Sequence, residues 1–407
     1  MENLEKIYTD KFEIYSILNS LAISGNKPKK DNFYIDIIGN DFSYSEEKAQ
    51  SIFKEIESFF VKEIYYDCEI DNETETLKTS FLESYCEICN KKIKEHEYYI
   101  LYRFNRAKEL SEFNVGLLNK FFLPASIKVI DELKDNLNNV IPFVGSGVSK
   151  ELGFPLWLEM LWLAKEQIPE KHHPIFDLYY EKGNIDDLIK IIKDTTVSLN
   201  TDRKIKQKLV LPQFKNKLSK ENYEKSIAHH ILMLERPYVI TTNYDQALEI
   251  INAEFELGYE ESKNLSDFSG FEVLEDSKFI FHIHGDITNL DTMIVTNTDY
   301  EEMYKNNNNE KIITGLIMRN SLLFMGFSLN DKYFSKEFTK ICKANKNYVT
   351  NYMICLEGEP LDGIIKENID YITMLTTSIG KDKYDTTEQY RFILEYIKGQ
   401  LYLINDK

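Results

Sequence analysis

"NVIPFVGSGVSKELGFPLW", residues 139–157, decides how the rest of the chain is read. Val140, Ile141, Phe143 and Val144 make an apolar run of strand length, and Gly145, Ser146 and Gly147 then remove almost every side chain. A short apolar run closed by small residues reads as a buried strand turning toward a helix. Glycines at such a turn let a ligand approach the main chain closely. A helix beginning near Ser149 would aim its free N–H groups and its dipole at an anion. Taken alone, the stretch is equally well a tight strand–helix turn, because Lys150 stands where the third glycine of a GxGxxG fingerprint would fall.

Downstream, further apolar runs alternate with helical stretches: "RPYVITTNYD" (236–245), "SKFIFHIHGD" (277–286), "TMIVTN" (292–297), "SLLFMGFSLND" (321–331) and "YMICLEG" (352–358). Short apolar strands separated by helices imply an α/β fold: a Rossmann-like, doubly wound, mostly parallel sheet, here preceded by an α+β appendage. Ligands of such sheets bind beyond the carboxyl ends of the strands. Four of the strands end in small or polar residues, Gly-Ser-Gly, Thr-Thr-Asn-Tyr-Asp, His-Gly-Asp and Gly-Phe-Ser, so the site is expected there.

Each ending has a bland alternative. Asn243 and Asp245 precede the probable helix "QALEIINAEF", and either could cap it; one cap does not explain both. His282 and His284 alternate along a strand and share a face. His284, followed by Gly285, is well placed for acid–base work, while His282 reads as support behind it or as a purely structural residue. Zinc binding by this pair lacks Cys or His partners nearby.

The four endings together resemble the sirtuin superfamily. Gly145-Ser146-Gly147-Val148-Ser149 with Gly153-Phe154-Pro155 matches its glycine loop, Thr241-Thr242-Asn243-Tyr244-Asp245 its Thr-Gln-Asn-x-Asp, His284-Gly285 its catalytic His-Gly, and Gly326-Phe327-Ser328-Leu329 its Gly-x-Ser-Leu. The likeness covers roughly residues 137 to 375, and "TTNYD", "HGD", "GFSLND" and "VTNTDY" (295–300) are closer to the bacterial antiphage-defence branch than to the deacetylases. The resemblance implies that Gly145 to Ser149 cradle the pyrophosphate of NAD on bare backbone amides, and that Gly326 and Ser328 face the adenosine ribose. By the same likeness Asn243 and Asp245 hold the nicotinamide ribose and order a water, His284 is the general base on a ribose hydroxyl, and Gly153, Pro155, Trp157, Thr241, Thr242 and Phe327 join the cofactor-binding set.

Two departures stand out: Thr242 replaces a glutamine, and Leu158, after Trp157, replaces an arginine. The four-cysteine zinc module that deacetylases insert after the catalytic His is missing from the sequence, since Cys342 and Cys355 stand alone there. Water is therefore the expected acceptor. The expectation is an NAD+ glycohydrolase (NADase) that releases nicotinamide and ADP-ribose and depletes NAD in abortive infection. The alternatives are an NAD-dependent protein deacylase and a non-catalytic NAD or ADP-ribose sensor. Defence sirtuins also imply a homo-oligomer and a second defence protein or phage trigger as partners.

Composition sets the frame. The chain has 407 residues, of which 43% are hydrophobic, and a formal charge of -18. That charge disfavours direct nucleic-acid binding, and no apolar run is long enough to span a membrane. The charged N-terminal stretch does not read as a signal peptide, and a cytoplasmic protein is expected. The domains are expected at 1–130, an accessory region for assembly, partner contact or sensing, and 131–407, the catalytic region. In the accessory region "NFYIDIIGNDF" (32–42) reads as strand, "DNETETLK" (71–78) as polar loop, and "YKNNNNEK" (304–311), far downstream, as loop. The five cysteines do not suggest a disulfide framework. Cys86-x2-Cys89 is half of a zinc site that Cys68 and His96 could complete, but without a second Cys-x2-Cys, two thiols in a turn are favoured and no metal is assigned.

Overall fold

The computed structural model describes residues 2–25, 27–70, 73–214, 223–268, 278–327, 332–344, 349–358, 369–375 and 386–404. They divide into two compact units, Met1–Lys120 with Gly399–Lys407, and Phe121–Lys398.

The first unit begins with helices Glu2–Asp10, Phe12–Ile23, Asp31–Asp41 and Glu46–Ile56. Three antiparallel strands follow, β1 (Phe60–Ile70), β2 (Glu73–Thr79) and β3 (Glu97–Phe104), in the order β2-β1-β3. Two expectations fail here. Residues 31–41 are helical rather than extended: the residues buried on that helix are Tyr34 and Ile38, four apart, the spacing of a helical face. The described part of the stretch expected as a polar loop, from Glu73 on, is β2, an edge strand among the described residues whose Thr and Glu side chains suit a half-wet position.

A buried polar network ties the chain's last described residues to this unit. Tyr15 Oη donates to Asn114 Oδ1 at 2.7 Å, and Asn114 Nδ2 donates to Asn19 Oδ1 at 2.7 Å and to the Tyr402 carbonyl at 2.9 Å. The Tyr402 N–H returns to Asn19 Oδ1 at 2.9 Å, and the Ile404 N–H donates to Ser111 Oγ at 2.9 Å. The division therefore falls at 120/121, with 399–407 joined to the first unit, where the sequence suggested 130/131 and an uninterrupted C-terminal region.

The second unit is built on β4 (Val140–Val144), β5 (Tyr238–Thr241), β6 (Lys263–Asn264), β7 (Phe279–His282), β8 (Ser321–Met325), β9 (Asn351–Leu356) and β10 (Ile369–Met374). All pair in parallel, in the order β10-β9-β8-β4-β5-β7-β6. Leaving out the two-residue β6, the order from β7 is the Rossmann 3-2-1-4-5-6. β4, β5, β7 and β8 are buried along their whole length, which is why each reads as an unbroken apolar run rather than an alternating one. Phe143, Phe279, Phe281, Phe324, Phe334 and Phe338 are all at most 1% exposed in one core cluster. Each such ring stabilises the fold by roughly 1.5–3 kcal/mol.

Residues 292–297, expected as a strand, form none. The Thr292 and Met293 N–H groups make turn bonds to the Asn289 and Leu290 carbonyls at 3.0 and 3.3 Å, and the Ile294 N–H donates to the His284 carbonyl at 2.8 Å, while Met293 and Val295 are buried. Residues 304–311, expected as loop, are helical except for Asn306: they close helix Asn297–Lys305 and open helix Asn307–Arg319, because Asn306 Oδ1 caps the second helix by accepting from the Asn308 N–H at 2.9 Å. No helix among the described residues is long and apolar enough to cross a membrane.

Candidate active site

The chain leaves β4 for β5 on one side and later places β8 on the other, so β4 is the switch point of the sheet. A crevice opens there. Gly145, Ser146, Pro155, Trp157, Thr242, Asn243, Tyr244, Asp245, His284, Gly326 and Phe327 all line it. Its empty space, including the part open to solvent, is about 1020 Å³, at the upper end of the ~300–1,000 Å³ typical of small-molecule sites.

The bareness of the glycine turn serves packing first. The Gly145 N–H donates to the Met325 carbonyl and the Gly147 N–H to the Gly326 carbonyl, both at 2.9 Å. A Cβ at Gly145 would lie 2.4 Å from the Gly326 oxygen, and one at Gly326, whose φ is +60°, 2.4 Å from the Val148 nitrogen. The turns after β4 and β8 interlock backbone against backbone, and side chains are excluded from both. Two of the amides expected to face phosphate are thus already engaged. The helix after the turn is short, Ser146–Ser149, and begins three residues earlier than the sequence suggested.

After β5, the Thr241 hydroxyl donates to the Val144 carbonyl at 3.0 Å and accepts the Asn243 N–H at 3.0 Å, so a buried threonine fixes the start of the loop. Asn243 Nδ2 donates to the Gly145 carbonyl at 3.2 Å and to Ser149 Oγ at 3.0 Å. Ser149 in turn donates to Asp245 Oδ1 at 3.2 Å, which also accepts the Ala247 N–H at 3.1 Å. The amide's orientation is therefore set by two acceptors, and its Oδ1 is buried without a hydrogen-bond partner among the described residues. Burial, only partly offset by the Ala247 and Ser149 bonds, pushes the Asp245 carboxyl up to about 6.

Behind Asn243 stands His282, 1% exposed. Its Nδ1 is 2.8 Å from the Asn243 carbonyl oxygen and its Nε2 2.7 Å from the Glu249 carboxylate. Both neighbours are acceptors, so both ring nitrogens must donate and the ring is an imidazolium. Burial works against that charge, but the Glu249 carboxylate and the Asn243 carbonyl outweigh it and lift the pKa to about 9. His284 is 3% exposed, packs its ring edge-to-face with Tyr300 at 5.3 Å, and is followed by Gly285 at φ +71°.

The structure brings Asn243, Asp245 and His284 to one cavity, with Gly145, Ser146, Pro155, Trp157, Thr242, Gly326 and Phe327 around them. Val148, Ser149 and Thr241 are buried behind the wall. Gly147 acts through the interlocked turns and Gly153, at φ +87°, through the left-handed turn that ends the short helix Lys150–Leu152 before Pro155. Ser328 and Leu329 lie outside the described residues. Sequence reasoning passed over Tyr244, Asp186, Asn297 and Tyr300, which also line the crevice. Tyr244 is the variable position of the Thr-Thr-Asn-x-Asp run, and its ring packs with Trp157 and Phe214 at 5.8 and 6.4 Å to form an aromatic wall. Asn297 and Tyr300 belong to "VTNTDY", quoted above only as a mark of likeness.

Residues 237–372 match the SIR2-like domain family. The NAD(+) hydrolase ThsA of Enterococcus faecium is 24% identical over 273 residues, which cover 66% of this chain and 50% of that protein. The chain thus spans about half the length of this curated relative. A solved chain from work on the structural basis of sirtuin substrate affinity aligns over 66% of this chain and 97% of its own, at 14% identity and a TM-score of 0.32, an overlay too loose to argue from.

Proposed function

We propose that this chain, a sirtuin-like protein carrying a SIR2-like domain, hydrolyses the nicotinamide–ribose bond of NAD to nicotinamide and ADP-ribose. The observation that carries the proposal is the convergence of Asn243, Asp245 and His284 on one crevice at the switch point of a Rossmann-ordered sheet. The similarity to an NAD(+) hydrolase supports it.

Breaking that bond releases neutral nicotinamide and spreads positive charge over the ribose. The unbonded Oδ1 of Asn243 and the Asp245 carboxylate supply negative potential from groups already fixed in place, so little reorganisation is needed as the charge develops. His284 takes the proton of a ribose hydroxyl as the charge develops, for which positioned acid–base help gives roughly 10²–10⁴-fold. Water then adds to the anomeric carbon, His284 returns the proton to the hydroxyl, and the proton lost by the water passes to solvent. Gly145 and Gly326, without side chains, allow the dinucleotide to approach the main chain, and the Trp157–Tyr244 wall bounds the nicotinamide end. Restraint of the activity until infection, assembly into a homo-oligomer and triggering by a second protein or a phage component complete the proposal, and they rest on the likeness to defence sirtuins alone.

The test is nicotinamide release from NAD by the purified full chain, with and without lysate of phage-infected cells. Asn243→Ala and His284→Ala are expected to lower release steeply, by roughly 10²–10⁴-fold for His284→Ala; either variant matching the wild-type rate overturns the assignment. Consumption of an acetylated peptide together with NAD would replace it by deacylation, and tight NAD binding with no nicotinamide released in any condition would replace it by sensing.

A further inference from the structure

Away from the crevice, in the first unit, three thiols and an imidazole meet. Cys68 lies near the end of β1, Cys86 and Cys89 on the loop between β2 and β3, and His96 directly before β3. One ligand atom from each lies within 4.8 Å of all the others. Strand register enforces part of this: Asp67 pairs with Glu97 across β1 and β3, so the next residue outward on each strand is Cys68 and His96.

The loop is shaped as a metal knuckle. The Cys86 N–H donates to the Lys91 carbonyl at 2.7 Å, the Asn90 N–H to the Cys86 carbonyl at 3.0 Å, and Asn90 adopts φ +59° to close the turn. The Ile88 N–H points at Cys86 Sγ at 3.4 Å, a bond suited to a thiolate. His96 Nδ1 is 3.1 Å from the Asp67 carbonyl oxygen. A carbonyl only accepts, so Nδ1 carries the proton and Nε2, 3.3 Å from Cys89 Sγ, presents its lone pair to the cluster.

We propose that Cys68, Cys86, Cys89 and His96 hold one zinc ion in a closed tetrahedral site that fastens the β2–β3 loop to the three-stranded sheet. Three thiolates and an imidazole are a soft to borderline donor set, which selects zinc over calcium or magnesium. With Zn–S near 2.3 Å and Zn–N near 2.0 Å, the donor atoms of a tetrahedron stand about 3.5–3.8 Å apart, a small contraction of the present cluster. Each thiol releases its proton as the metal binds. All four positions belong to the protein, so no place remains for a reacting water, and the site is structural. The need for it is local. The buried part of the apolar cluster here is Ile64, Tyr66, Cys68, Cys86 and Ile93, with the half-buried Leu77, Leu82 and Ile100 against it, and two of those five buried residues are themselves ligands. So small a core calls for a staple.

The test uses the full chain purified without chelator, and none of its readouts depends on NAD. Elemental analysis is expected to give close to one zinc per chain. Replacement by Co²⁺ is expected to give the visible bands of tetrahedral cobalt and a near-ultraviolet sulfur charge-transfer band. Cys89→Ser should lose the metal, and His96→Cys, which preserves a four-donor set, should keep it. Where Cys89→Ser does not fold, the wild-type cobalt spectrum decides. Zinc well below one equivalent, both as purified and after incubation with Zn²⁺, overturns the proposal, as does a disulfide between any two of these cysteines in the intact mass.

Discussion

The crevice of the second unit and the knuckle of the first both gather polar side chains from distant parts of the chain, and they do so by opposite means. In the crevice, Asn243 and His284 stand at the ends of strands buried along their full length, over a phenylalanine core that would exist without them. In the knuckle, two of the five buried residues of the apolar cluster are the polar-capable groups themselves. A large sheet can carry chemistry as a passenger; a three-stranded one has to recruit its chemistry for cohesion. Removing a side chain should therefore cost activity in the first case and structure in the second.

The strongest way to break this contrast is at Asn243 and His284. Replacing His284 by Ala should lower nicotinamide release by roughly 10²–10⁴-fold while leaving the thermal midpoint nearly unchanged; a large loss of stability would show that the crevice residues are structural after all. Next comes the buried ion pair behind them. Glu249→Ala leaves the His282 imidazolium uncompensated and should cost about 3–5 kcal/mol in denaturant unfolding. The pH profile sharpens the point. The folded pKa of His282, about 9, lies above its ordinary 6.5, so the pair's contribution is complete below about pH 6.5, erodes between 6.5 and 9, and is gone above 9. A wild-type stability curve flat across that window would refute the charged state.

Gly145→Ala tests the interlocked turns: its Cβ would meet the Gly326 oxygen at 2.4 Å, and the overpacking should cost about 1–3 kcal/mol. Smallest of all is Lys94→Ala. Lys94 and Glu83 form an exposed ion pair at 3.3 Å on the knuckle loop, and its loss should change stability by less than about 1 kcal/mol. A large effect there would mean that surface charge rather than the thiol–imidazole cluster holds the loop.

These features differed in how far the sequence betrayed them. β4, β5, β7, β8 and β9 were visible because strands covered on both faces must be apolar throughout, and the site residues because they follow those strands directly. "TMIVTN" has the same composition, yet Met293 and Val295 are buried from a loop that pairs with no strand among the described residues. Local sequence does not say whether an apolar run has a partner to pair with. The helix at 31–41 was misread because apolar residues crowd both of its faces, and the burial of Tyr34 and Ile38 decides it. The thiol–imidazole cluster was half visible. Cys86 and Cys89 are neighbours in sequence, whereas Cys68 and His96 are neighbours through strand register, which becomes apparent once β1 and β3 are paired. The His282–Glu249 pair left no local mark, since its partners lie on a strand and a preceding helix.

The network joining Asn19, Asn114 and Tyr402 imposes an order on biosynthesis. The ribosome delivers the first unit's helices and strands early, at about 5–20 residues per second, but Tyr402, which bonds both Asn19 and Asn114, emerges after all of the seven-stranded parallel sheet. The unit begun first is finished last. Until then Asn19 and Asn114 have each other and Tyr15 but not the Tyr402 backbone, so the second unit must be synthesised before the first can close its network.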